Sequence, residues 1–361
     1  MNITEYLKEQ IALHPSYTAQ DAVKQCFQAS FGADHLLSDV TAARAYFRKE
    51  YASAGISDGP LIENISADTA RVNLGAWKKT GMDPEWLFQL FVRSASGTGS
   101  AEKAAADPDE KKRLQEEHFI SALSDARALR PDFAPFIDAC LKEGIRAVHH
   151  SDVYREAEKP EYRIVRRAYA RLIPVLQKIA ASELGDYDDS ADLPPYIIAL
   201  DGPASSGKST AADVLSDLID ASVIHMDDFF LPPELRTEER FRTPGGNVHS
   251  ERFIEEILPN LKHPDPFYYQ RFDCSVMDMG PMVYVDDAPY RIVEGSYSEL
   301  PAFGPYADLK VFLTVSPEEQ EDRILKRNGP EMLERFRHEW IPLENAYFEH
   351  FQIKEKADVI I

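Results

Sequence analysis

The chain has 361 residues, 44% of them hydrophobic, and a formal net charge of −21. Such a field repels phosphodiester backbones and argues against a general nucleic-acid binder, although a local site can still hold a small anion. Cys26, Cys140 and Cys274 are far apart and form no CxxC pair, which argues against a disulfide framework or zinc module and fits a reducing compartment. The start "MNITEYLKEQ" shows no basic-then-apolar leader, and no apolar run approaches membrane-spanning length. The sequence therefore reads as cytoplasmic, with no membrane partner.

Residues 1–183 read as a mostly α-helical domain. Asn2 and Glu5 have capping-box spacing, and Ile3, Tyr6, Leu7 and Ile11 follow on one face until Pro15. Thr18 starts a second helix with Ala22, Val23, Cys26 and Phe27 inward, ending near Gly32. "PLIENIS" and "TARVNLG" suit a small β-pair. "DPEWLFQLF" starts a helix with Asp83 as cap and Pro84 at the first helical position. A loop of small polar residues, "SASGTGSAEKAAADPDE", comes next. Further helices are expected at about 110–128, 132–143 and 161–182, the last kinked at Pro174. The acidic, proline-ended segment 184–194 reads as a linker.

Residues 195–361 have a different grammar. "YIIAL", "SVIHM", "YRIVE", "KVFLTV" and "DVII" are short apolar runs alternating with helical stretches. That pattern predicts an α/β domain with a parallel sheet covered by helices on both faces.

Directly after "YIIAL" comes "DGPASSGKST", which contains GxxxxGK[ST] in full, followed by the amphipathic "STAADVLSDLID". Strand, motif and helix agree, so this is a P-loop (Walker A) candidate. Gly202, Ala204, Ser205, Ser206 and Gly207 supply backbone N–H groups for phosphate oxygens at a helix N-terminus. Lys208 reaches the β/γ-phosphates, and Ser209, followed by Thr210, offers a hydroxyl to Mg²⁺. ATP with Mg²⁺ is the cofactor this implies. A guanine-specific NKxD signature is absent.

In open parallel sheets the ligand lies beyond the carboxyl ends of the strands. Two such ends carry acids here: Asp227 and Asp228 in "MDDFF", and Glu294 in "VEGSYS". Strands stand about 4.8 Å apart, so groups one or two strands from the loop lie roughly 5–10 Å away, the span of a γ-phosphate, its metal and an acceptor hydroxyl. A DD pair can also simply end a strand as a turn. Arg323, Lys326, Arg327, Arg335 and Arg337 lie between the last two strands. They read as a solvated helical face or as a lid, with Arg323 and Arg327 the leading candidates to reach the phosphate.

In this order the motifs resemble those of uridine kinases and the related nicotinamide riboside kinases, over about 195–361. "GPASSGKST", "MDDFF", "GGNVHSERF", "VEGSYS", "RILKRN" and "NAYFEHF" followed by "KADVII" carry the likeness. It implies a P-loop kinase fold and phosphoryl transfer to a nucleoside-like hydroxyl. It further implies Asp227 as the acid that takes the acceptor's proton, Glu294 near the metal, and an acceptor pocket walled by Phe229, Phe230 and the "FYYQRF" stretch (Phe267 to Phe272), which holds Tyr269 and Arg271; for Asp228 an acceptor contact, a place behind the metal's ligands and a turn role all stay open. The sequence departs from that pattern at His249, where such kinases usually have an aspartate for ribose. The lid is also shorter, with "GPEMLERF" in place of a second arginine cluster.

The likeness leaves residues 1–183 uncovered. "FGADHLL" around His35 and "HHSDVYREAEKPEYRIVRR", with His149, His150, Asp152, Tyr154, Arg155, Tyr162 and Arg163, stand out there. They suit an anion or metal site, or a buried hydrogen-bonded network that fixes helix packing. The partner expected is a small-molecule phosphoryl acceptor, and self-association as a homo-oligomer stays open. The alternative to a kinase is an ATP-binding regulatory switch with weak hydrolysis.

Overall fold

The computed structural model describes residues 2–96, 108–182 and 194–361. The loop at 97–107, most of the 184–194 segment and the side chain of His35 lie outside the described residues. The chain divides into two compact units, Met1–Ser182 and Glu183–Ile361.

In the first unit the helix Ile3–Leu13 opens on the capping box: Asn2 Oδ1 accepts the Glu5 N–H, and Glu5 accepts the Asn2 N–H. Ile3, Tyr6 and Leu7 are buried, as their spacing requires. The helix Ala19–Phe31 ends at Gly32. Strands β1 (Ile62–Asn64) and β2 (Thr69–Asn73) form the expected antiparallel pair, with Ile62 opposite Val72.

The expected helix over 161–182 is corrected. Residues Tyr162–Arg166 are strand β3, which pairs antiparallel with β2 and puts Ile164 opposite Arg71. Helix resumes only at Arg167–Ala170 and Ile173–Ala181. Pro174 sits in the first turn of the latter, where its missing N–H costs nothing, and so makes no kink.

The second cluster of polar residues is in part a buried network. The His150 ring lies 2.8 Å from both Asp21 Oδ1 and the Tyr162 hydroxyl, and Gln28 Nε2 donates to that hydroxyl at 3.1 Å. Arg71 donates to Gln28 and Tyr6 at 2.7 Å each. Burial holds the His150 pKa down to about 4, so its ring is neutral and donates to Asp21. Burial opposes charge on Asp21 as well, but hydrogen bonds from His150, Ser151 and Thr18 outweigh it and bring its pKa to about 2.

The second unit contains a five-stranded, all-parallel sheet of β4 (Tyr196–Asp201), β5 (Ala221–His225), β8 (Tyr290–Glu294), β9 (Leu309–Phe312) and β10 (Val359–Ile360), in the order β10-β9-β4-β8-β5. This is the expected α/β arrangement, a parallel sheet with flanking helices. A separate hairpin joins β6 (Phe267–Asp273) and β7 (Asp278–Val285). Arg291, fully buried on β8, donates to the carbonyls of Asn260, Leu261, His263, Asp265 and Asp286, fixing the chain on either side of that hairpin. Among the described residues no helix is long and apolar enough to cross a membrane.

Candidate active site

The loop between β4 and the helix Lys208–Ile219 is shaped by backbone demands. Gly202 has φ +142°, and a Cβ there would lie 2.3 Å from the Leu313 carbonyl oxygen, so no side chain fits. Asp201 anchors the loop from beneath. Its fully buried carboxylate accepts the N–H groups of Gly202, Tyr297 and Glu299 and the Tyr347 hydroxyl, at 2.7–3.2 Å. The Lys208 ammonium folds back onto the carbonyls of Gly202 (2.8 Å) and Pro203 (2.9 Å).

The loop fits a phosphate chain. The first N–H groups of the helix have no acceptor within it, and the buried Ser205 hydroxyl has no hydrogen-bond partner among the described residues. Ser205 itself adopts φ +59°, within the curl. Thr210 lies in the first helical turn.

Register then sets the acids. β8 lies between β4 and β5, so Glu294 is level with Leu200 on one side and His225 on the other. The Ser209 hydroxyl is 3.2 Å from each Glu294 oxygen. A hydroxyl beside a carboxylate suits Mg²⁺, which usually takes one or two protein oxygens and completes its shell with water and phosphate. Among the described residues no group of three His, Cys, Asp or Glu forms a dedicated metal site. His225 Nδ1 stands 2.6 Å from Glu294 Oε1, and that hydrogen bond raises the imidazole's pKa.

Asp227 lies just past β5, in the 3₁₀ turn Met226–Phe229, two strands from the loop. Its carboxylate opens to solvent and accepts no hydrogen bond from the described chain. The protein mass around the cleft, and Glu294, push its carboxyl up, while Lys208 and His225 partly offset them. Gly295 permits the crowding behind it: a Cβ there would sit 2.7 Å from Met226 Cβ.

Asp228 turns the other way and accepts the Tyr269 hydroxyl at 2.7 Å. Phe229 does not wall a pocket. It is fully buried, 5.3 Å from the Phe253 ring and 5.4 Å from the Tyr269 ring. Phe230, Phe272 and His249 do gather, with Arg252, around a cavity of about 150 Å³. His249 also caps its helix through a contact with the Arg252 N–H. Arg271 is exposed on the hairpin strand β6.

The arginines part company. Arg323 donates to the Ser205 carbonyl at 2.9 Å, and Gln320, one turn earlier, donates to that of Ala204. Arg327 is exposed and bonded to Asn328, its chain neighbour. Arg335 pairs with Glu339, and Arg337 with Glu334 and with Glu321 of the preceding helix Pro317–Asn328.

Sequence reasoning missed Asp201, His225, Ser296 and Glu344. Glu344 Oε2 accepts the Ala204 N–H, and its other oxygen accepts the Ser296 hydroxyl, both at 2.8 Å. Burial raises its pKa, and Lys208 works against that rise.

No family model matches the chain. Among solved structures it is similar to one described as a possible uridine kinase from Bacillus stearothermophilus, with 20% identity over 53% of this chain and 97% of that one, at a TM-score of 0.41. It is also similar to a candidate fructose transport system kinase from Silicibacter sp. TM1040, with 21% identity over 51% of this chain and 97% of that one, again at 0.41.

Proposed function

We propose that the chain transfers a phosphoryl group from ATP to a hydroxyl of a small molecule, with a nucleoside as the leading acceptor class. The observation that carries this reading is Asp227: an unpartnered carboxylate at a strand end, beside a phosphate loop and a Ser209–Glu294 oxygen pair.

Bound ATP and Mg²⁺ would supply the transferable group and neutralise part of its charge. The chain's own residues would do the rest. The loop N–H groups orient the phosphates. Lys208, released from the Gly202 and Pro203 carbonyls, holds the charge that spreads over the moving group. Ser209 and Glu294 hold the metal's protein side. Asp227 accepts a hydrogen bond from the acceptor hydroxyl and takes its proton. The small cavity around Phe230, His249 and Phe272 gives the acceptor a partly apolar wall.

The experiment is incubation with Mg·ATP and a panel of nucleosides, ribosides and sugars, with mass detection of a product heavier by one phosphoryl group. ADP formed at the same slow rate with every acceptor, and no such product, would replace this reading with the nucleotide switch.

A further inference from the structure

The first unit holds a cavity of about 680 Å³ that the phosphoryl-transfer reading does not use. Both stretches singled out in its sequence meet there. Leu36 and Ser38 come from just after His35, while His149, Arg155, Tyr162 and Arg163 come from the second stretch; Lys24 adds the helix Ala19–Phe31. A volume of this size suits an organic molecule rather than a bare ion.

Charges around it are unevenly settled. Arg163 is paired with Glu50, and His150 is held by Asp21 and Tyr162. Lys24 has no ion pair or hydrogen bond among the described residues. The carboxylate nearest in influence, Asp21, already accepts from His150, Ser151 and Thr18. Burial, then Arg71, holds the Lys24 pKa down to about 8, as befits a cation without a counter-charge. Arg155 has only Asp152, at 3.9 Å and largely in water. His149 is exposed at the same rim. The lining carboxylates are engaged, Glu50 with Arg163 and Asp39 as a helix cap accepting the Thr41 and Ala42 N–H groups, so a chain with net charge −21 keeps two under-compensated cations and a histidine at one cavity. Its other walls include Phe27, Tyr46 and Phe91.

We propose that this cavity binds a phosphate monoester of nucleotide size, with the phosphate between Lys24 and Arg155 and a ring against the aromatic wall. A dianion matches two cations better than a carboxylate does, and Arg supplies a fork while Lys supplies a point charge. The ring adds apolar contact that inorganic phosphate lacks. Every residue that lines the site belongs to the first unit.

The test is calorimetric titration of the full chain carrying Lys208→Ala, which weakens nucleotide binding at the loop, with AMP, UMP, a hexose 6-phosphate and inorganic phosphate as probes. The expected result is that at least one ester binds, that inorganic phosphate competes with it, and that the dephosphorylated form binds about tenfold more weakly or worse. Adding Lys24→Met or Arg155→Gln should weaken the ester by about tenfold or more. Lys24→Met keeps the packed stem and removes an uncompensated charge, so its melting temperature should not fall; Arg155→Gln alters a side chain largely in water and supplies the same readout if Lys24→Met fails to fold. No binding by any probe at millimolar concentration, or binding that both substitutions leave unchanged, would overturn the proposal.

Discussion

The Glu344 carboxylate accepts the backbone N–H of Ala204 at 2.8 Å, across 140 residues of chain. One donor of the phosphate loop is therefore held by the protein's own acid, and the Ser296 hydroxyl lies within reach of both that acid (2.8 Å) and the Gly202 carbonyl (2.9 Å), with one proton to give to either. A glutamine can keep both contacts, because its oxygen accepts from Ala204 while its amide donates to Ser296. Glu344→Gln should melt within a few degrees of the parent. Glu344→Ala leaves the Ala204 N–H without its acceptor, while Ser296 keeps the Gly202 carbonyl, and should cost about 1–3 kcal/mol, with a raised KM for ATP. Thermal denaturation and steady-state kinetics of the two variants check this.

Asp227→Asn should lower kcat by about 10²–10⁴-fold while leaving nucleotide binding intact. It should also raise the melting temperature at neutral pH. The folded-state pKa of Asp227 is raised, so the fold favours the protonated acid: that stability is present at low pH and is lost as pH rises through the folded pKa. Asparagine removes the charge, so its advantage should shrink toward pH 4. The acid limb of kcat/KM should lie above the ordinary aspartate range and vanish in the variant. Melting curves and rate profiles across pH read both effects.

Arg323 and Arg327 should behave differently. Arg323 holds the Ser205 carbonyl, so Arg323→Ala should loosen the loop and raise the KM for ATP several-fold. Arg327 touches nothing in the loop here. If a closing movement brings it to the phosphate, Arg327→Ala lowers kcat with KM little changed. The split between KM and kcat for the two variants separates positioning from a contact made only during transfer.

Glu299 is buried beside Asp201, and burial followed by that neighbour pushes its pKa up to about 8. Its Oε1 has no hydrogen-bond partner among the described residues. The folded value lies above the unfolded one, so stability is full below the unfolded pKa and falls as pH rises toward 8. The loss should amount to a few kcal/mol at most. Glu299→Gln should flatten this decline, as melting temperatures between pH 5 and 9 will show.

The loop and the strands that carry the site were legible because their signals are local. Gly202 to Thr210 is one contiguous motif between a strand and a helix, and β4, β5, β8, β9 and β10 are continuous apolar runs. The capping box at Asn2 and Glu5 is equally local. What was missed depends on partners far along the chain. β3 is a strand because β2, about 90 residues earlier, pairs with it. His225 gains its role only when register sets it beside Glu294. Glu344 carries no motif, and a helix near the end of the chain brings it to Ala204. Phe229 looked like a pocket wall beside two acids, but the hairpin strand β6 covers it with Tyr269.

The most direct test of phosphoryl transfer at this site is ADP release with Mg·ATP, measured with and without each acceptor, for the parent chain and Asp227→Asn. The account predicts that one acceptor stimulates ADP release, with a phosphorylated product in equal amount, and that Asp227→Asn removes the stimulation while still binding ATP. Release that no acceptor stimulates, or stimulation that survives Asp227→Asn undiminished, would contradict it.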